Sequence, residues 1–502
     1  MLLFNLIEMN KRKNIVLVFL AVILLGACTK DFKELNTDPN SSEKALPEYL
    51  MARAIVETVK NNMTRSRGLT NELMQVTVNT LVETDRIFRY DIANSVSEAP
   101  WNGWYLQLTN FKDMYDSADK GYVADPKKAN AFKGISLIMQ TWVYSMITDT
   151  YGDIPYFNSN KAGVDGTYTP AFDTQKSIYL DFFDKLDSAN VMLAAASNIP
   201  VTSDPVYKGN IANWRKFGNS LYLRLLLRAS QKEETSAFVL DKIQKILDSE
   251  KSNYPIISNN EESAVLRWTG VAPYASPFVT LTDAQWKQQK AGKVFVDSLL
   301  FKEDPCIDLW LVKSNGEYEG IESGYTIGQT PEGRSTMNPI LKSSPLMGNI
   351  LNYGEVQLMQ AEIGLRELIP TNASSVKNYY DSGVLARVTW WGKSSVEAST
   401  YLSNQRVVWN NNLSYEAKLE KVIYQKFLAT IFTDIQNWAE YRRTGYPVMP
   451  KGNGLMNDKI MPTRLYYPSS VQAANPQNYA NAIAKQGPDL LTTLIWWENH
   501  TF

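Results

Sequence analysis

From about residue 46 to residue 250 the apolar side chains recur at helical spacing. Phe132, Ile135, Met139, Trp142 and Met146 are separated by alternating steps of three and four, which puts all five on one helical face. Ile178, Phe182 and Leu186 repeat the pattern, as do Phe217, Leu221 and Leu225. Such stripes are core faces, not cofactor boxes. Asp173 stands where an N-cap of the Ile178 helix is expected, its carboxylate accepting from the open amides of the first turn. Between roughly 250 and 345 the period is lost to Pro255, Asn259, Asn260, Gly270, Pro273, Gly320, Gly324, Gly328, Pro331 and Gly333. This is a loop-rich insertion, with a short strand expected at Ala264 to Trp268. Helical spacing resumes at Leu358, Ala361, Leu365 and Leu368, and again from Tyr379 to Val388. One late helix is expected from about Ser414 to Arg443, with Leu419, Val422, Ile423 and Phe427 on its core face and Gly445 and Pro447 as its stop. The pattern therefore predicts a mainly α fold, an irregular tetratricopeptide-like helical array with a loop-rich insertion and few short strands. No regular 34-residue period is present.

The N-terminal region has a different pattern. Basic residues Lys11, Arg12 and Lys13 precede an apolar run from Ile15 to Leu25, too short to span a bilayer, and Leu25-Gly26-Ala27-Cys28 follows. This is the anatomy of an export signal, and its last four residues resemble the bacterial lipobox, whose cysteine is acylated. Residues 1–27 are thus expected to be a lipoprotein signal peptide, and residues 28–45, polar and turn-forming, a tether lipidated at Cys28. The body, 46–502, has no further apolar run of membrane-spanning length.

Composition narrows the chemistry. Basic and acidic side chains nearly balance, 51 against 52, which favours neither nucleic acid nor an acidic membrane surface. Beyond Cys28 the body has Cys306 as its one cysteine and His500 as its one histidine. That rules out a structural disulfide within the body and leaves a Cys/His zinc site or a Ser-His-Asp triad improbable. No cofactor or metal is indicated. Asp149 and Asp153 flank a Tyr-Gly turn and read as turn caps; Arg442 and Arg443, at a helix C-terminus, read as structural.

Aromatic residues make up 12% of the chain, and such faces suit both cores and ligands. Trp268, Tyr274 and Trp286 lie in or beside the loop-rich region, where binding residues concentrate. Trp390 and Trp391 follow a helix and precede Gly392, so at least one ring is a candidate for exposure. Trp101 joins these ligand-binding candidates, with core packing the competing reading for it and for Trp104. Trp496 and Trp497 read mainly as packing.

Several segments carry a resemblance. Asp149-Thr150-Tyr151-Gly152-Asp153-Ile154-Pro155-Tyr156, the Trp214 to Leu221 helix with Leu223-Arg224, Tyr353 to Glu362, Tyr441 to Pro447, Pro462 to Pro468 and Trp496-Trp497-Glu498 occur in the order seen in the SusD/RagB family, which the whole chain resembles. Gly218 departs from that pattern where alanine is usual, and Cys306 stands where an Asp-Pro-Arg often occurs, exchanging an arginine fork for a thiol. The resemblance implies a non-catalytic outer-membrane lipoprotein that captures oligosaccharides or peptides and acts as the lid of a SusC-type TonB-dependent transporter. Two alternatives remain open: a glycoside hydrolase using a carboxylate pair, which needs neither histidine nor cysteine, and a structural or adhesive surface lipoprotein.

Overall fold

Helices of nine residues or more are numbered in chain order. The computed structural model describes residues 45–80, 86–331, 335–499 and 502. The signal peptide, Cys28 and all but the last residue of the tether expected over 28–45 lie outside the described residues. Leu46–Phe502 forms one compact unit.

The first half is a succession of antiparallel neighbours. Helix α1 (Pro47–Arg65) packs on α2 (Ser95–Asp119), α2 on α3 (Pro126–Tyr151), α3 on α4 (Gln175–Ala194), α4 on α5 (Ile211–Ala229), and α5 on α6 (Glu233–Gln244). Helix α3 lies at the centre: Gly134 through Tyr151 are all buried, including the stripe from Ile135 to Met146. Pro126 and the Asp125 carboxylate, which accepts from Lys127 N, start it. Gly152, at φ +83°, stops it where a Cβ would strike the Gln486 side chain. Gln486 accepts from Asp153 N and donates to Tyr151 O at 3.2 Å, sealing that end.

The cap of α4 differs from the expected one by a residue. Thr174 Oγ1 accepts from Ser177 N, while Asp173 Oδ2 accepts from Tyr156 N at 3.0 Å and Phe157 N at 2.9 Å, so Asp173 closes the loop after α3 instead. Asp153 Oδ1 takes the amide of Gln175 at 2.9 Å and does act at a turn. Asp149 does not. It is fully buried and accepts from Tyr179 OH and Trp497 Nε1, both at 2.7 Å, and from Arg228 at 2.5 Å.

The loop-rich stretch holds α7 (Lys293–Lys302) and short strands. β1 (Thr77–Asn79), β3 (Gln289–Ala291), β5 (Thr336–Met337) and β4 (Leu311–Val312) form an antiparallel sheet in that order, with Thr77 opposite Ala291 and Leu311 opposite Met337. The strand expected at Ala264–Trp268 is shorter, β2 (Ala264–Val265), and pairs with β6 (Asn349–Leu351).

The second half begins with α8 (Tyr353–Leu365), paired with α9 (Ala373–Trp390); α10 (Ser395–Ser403) packs on α9, and α11 (Tyr415–Ala429) on α8. The late helix expected over 414–443 is two helices, α11 and α12 (Gln436–Thr444). Side chains divert the backbone between them: Thr430 Oγ1 donates to Lys426 O, Asn437 Nδ2 to Phe427 O, and Asp434, at φ +31°, accepts from Ile435 N. Gly445 at φ +74° ends α12, and α13 (Pro476–Gln486) completes the chain's longer helices.

A buried ionic network ties these helices together. Arg443 contacts Glu362 at 2.7 Å and Glu440 at 2.6 Å, Lys426 reaches Glu440 at 2.7 Å, and Arg228 joins Asp149 to Glu440. Burial would raise the Glu362 carboxyl, but Arg443, Lys426 and Arg366 outweigh it and hold it well below the ordinary carboxylate range. Arg442 likewise pairs with Glu498 and donates to Asp149 O at 2.7 Å. The two arginines are structural, through the interior and not only through a helix end.

Candidate functional site

Three segments converge beside the array: the 201–209 turn between α4 and α5, the 260–274 loop around β2, and the C-terminal end of α9. Asp204 builds the first. Its Oδ1 accepts from Val206 N and Tyr207 N, and its Oδ2 from Gly209 N and Trp214 Nε1, both at 2.8 Å. Four donors fix the turn and set Tyr207 and Lys208 at its edge. Tyr207 OH then donates to Glu262 O at 2.9 Å, tying the first segment to the second. Asn260 Nδ2 donates to Ala386 O at 3.0 Å, tying the second to α9. The loop's far end closes where Thr269 N donates to Tyr274 O at 2.9 Å, with Gly270 at φ +81° making the turn.

The first two segments and the start of α5 border an open cavity of about 700 Å³, walled among others by Val206, Tyr207, Asn213, Glu261, Arg267 and Tyr274, with the end of α9 behind it. Its size is that of a small-ligand site, and its wall mixes aromatic rings with hydroxyl, amide and charged groups. Arg267 lies with its guanidinium 5.3 Å from the Trp390 ring centroid. Burial lowers its pKa, and Glu261 acts in the opposite sense.

The aromatic candidates separate clearly. Tyr274 is on the cavity wall, and Trp390, partly buried, backs Arg267. Trp391 packs edge-on to Trp310 at 5.6 Å and Phe432 at 5.7 Å. Trp268 is buried, its Nε1 3.1 Å from Met63 Sδ. Trp286 is buried beneath Arg67 and donates to Met337 O at 2.9 Å. Trp101 is buried between Tyr105 and Tyr151. Trp104 is buried too, and Trp497 serves Asp149, while Trp496 donates to Glu234 at 2.8 Å. The 201–209 turn and Arg267 were not singled out in the sequence. The Asp204-Pro205 pair ahead of Gly209 is a turn signal that could have marked the first.

Cys306 lies in the interior. Asp304 is bound by Arg387 of α9 at 2.8 Å, so a distant helix supplies an arginine fork to this loop, and burial pushes the Cys306 thiol up. A second cavity, about 580 Å³, lies among α2, α3, α4 and residues 156–165. Its polar groups serve one another: Lys185 binds Asp181 and Tyr156 OH, and Lys112 donates to Ser159 O. None of the candidate aromatics lines it. Among the described residues no group of three or more His, Cys, Asp and Glu gathers as a metal site, and no helix is long and apolar enough to cross a membrane.

The architecture is shared with solved structures. A chitin-binding SusD homologue from Flavobacterium johnsoniae is 22% identical, with a TM-score of 0.76, over 90% of this chain and 98% of its own. A SusD homologue from Bacteroides fragilis is 21% identical, with a TM-score of 0.76, over 91% of this chain and 100% of its own. Another, from Bacteroides vulgatus, is 24% identical, with a TM-score of 0.72, over 89% and 97%. No curated protein matches the chain. Residues 39–468 match the SusD-like family described as "Starch-binding associating with outer membrane", and on that match the chain belongs to this SusD-like family of nutrient-binding outer-membrane proteins.

Proposed function

We propose that the protein is a non-catalytic, lipid-anchored receptor that captures an oligosaccharide in the 700 Å³ cavity and delivers it to a SusC-type TonB-dependent transporter. The observation that carries this reading is that Tyr274 and Arg267, the latter backed by Trp390, stand with amide and hydroxyl groups on the wall of one cavity of ligand size. Sugars present apolar ring faces and a rim of hydroxyls, and this wall offers both kinds of partner. The chitin-binding relative and the family's description favour a saccharide over a peptide. Acylation at Cys28 would keep the receptor at its transporter by raising effective concentration without fixing orientation.

The hydrolase alternative needs a carboxylate pair at the ligand. Of the cavity's two carboxylates, Asp204 is committed to four donors, which suits a turn and not an acid or nucleophile. The test has two parts. Full-length protein titrated against an oligosaccharide panel is expected to bind at least one member without releasing products. Purified from detergent-solubilised outer membranes, it is expected to bring a large TonB-dependent barrel with it at near-equal abundance. Product release abolished by Glu261→Gln would favour the hydrolase, and recovery without a barrel would remove the transporter from the reading.

A further inference from the structure

Arg267 is an exposed side chain with an aromatic support. It projects on the cavity wall, its guanidinium lies against the Trp390 indole, and it makes no hydrogen bond or ion pair with any described residue. A guanidinium carries five donors and no acceptor, and the flat fork fits a carboxylate two-on-two. Lying on an indole, the fork loses little further freedom when it binds.

The charges around it are unequal. Asp204 has spent both oxygens on four donors. Arg267, Lys208 and Glu261 are then the charged groups of the wall that form no hydrogen bond or ion pair with a described residue, two cations against one anion. Glu261 forms no ion pair with Arg267, so the fork is not consumed. Asn213, Thr202 and Thr269 supply amide and hydroxyl groups suited to ring hydroxyls, and Tyr274 an aromatic surface.

Building on the saccharide reading of this cavity, we propose that its ligand is an acidic oligosaccharide, a uronate chain whose carboxylate occupies the Arg267 fork. Lys208 adds attraction at longer range, and Glu261 accepts from a sugar hydroxyl. An anion seated this way replaces water on a fork to which the protein offers no acceptor of its own.

The experiment titrates the full-length protein in detergent with oligomers of galacturonate, glucuronate and mannuronate, each beside its carboxyl-reduced neutral counterpart. The expected result is at least one acidic oligomer binding roughly tenfold or more tighter than its neutral form, with that preference weakening as salt rises. Arg267→Gln is expected to bring the acidic-to-neutral ratio to within about twofold, and Arg267→Lys to restore it only in part. Thermal melting of each variant reads folding separately. Equal binding of acidic and neutral oligomers, unchanged by Arg267→Gln, would overturn the inference and leave saccharide binding standing. Binding of a peptide that is lost on amidating its C-terminus, with no binding of sugars, would overturn both the uronate and the saccharide reading.

Discussion

Trp390 and Tyr274 are both partly buried but have different roles. Tyr274 is a wall residue whose carbonyl also closes its own loop, whereas Trp390 supports the cavity through Arg267. Trp390→Ala is expected to weaken oligosaccharide binding by roughly tenfold, through loss of the surface that holds the fork. Titration calorimetry checks this, and unchanged affinity would remove Trp390 from the site. Glu72 gives a separate residue-scale expectation. Burial pushes its carboxyl up to about 8 despite a bond from Gln289 Nε2 at 2.9 Å. The native state therefore holds a proton that the unfolded chain releases above its ordinary 4.5, so Glu72's contribution is complete below that pH and declines as pH rises through about 8. Glu72→Gln should flatten the stability profile between pH 5 and 8 by up to about 1.4 kcal/mol per pH unit, measured by urea unfolding. At this scale the sequence was least legible. Trp268 and Trp286, from the loop-rich stretch, and Trp101, within α2, share a residue type with Trp390 at the end of α9, yet their rings turn inward. Spacing says nothing about side-chain direction in irregular backbone, and Asp149 is an interior hub only because Arg228, Tyr179 and Trp497 arrive from distant segments.

Elements were easier to read, because a helix with one buried face advertises its period. The Phe132–Met146, Ile178–Leu186 and Phe217–Leu225 stripes lie on α3, α4 and α5. The break between α11 and α12 was hidden because it depends on Thr430, Asp434 and Asn437 bonding to the backbone inside an otherwise helical pattern. Cap identity failed for a similar reason: Asp173 finds two amides across the loop and leaves α4 to Thr174. The ionic network makes one element-scale expectation. Glu362→Ala removes the shared partner of Arg443, Lys426 and Arg366 and leaves Glu440 alone to offset the two buried cations, which should cost about 3–5 kcal/mol. Denaturant unfolding measures it, and a loss below about 1 kcal/mol, the range of exposed pairs, would show that the network is dispensable. Gly218 makes another. A Cβ there would lie 2.6 Å from Ile138 Cδ1, so close packing of α5 on α3 accounts for glycine in a helix that otherwise prefers alanine. Gly218→Ala combined with Ile138→Val should be more stable than the sum of the single variants by roughly 0.5–3 kcal/mol; strict additivity would mean the two sites do not touch.

For the molecule as a whole, the pattern of helices, then loops, then helices was visible along the chain, and so was the family resemblance. The cavity was not, since it exists only where residues 201–209 and 260–274 meet with the end of α9 behind them, and those segments are far apart in sequence. Hydrogen bonds from Tyr207 to Glu262 and from Asn260 to Ala386 and Thr389 connect them. The array thus serves as a rigid frame on which irregular backbone is fastened, the usual division between scaffold and binding loops. Hydrogen exchange of the full-length protein, with and without the tightest oligosaccharide of the panel, tests this account most directly. Added protection is expected across 201–209, 260–274 and the end of α9. Protection confined to residues 112–116 and 156–165, at the second cavity, would contradict it.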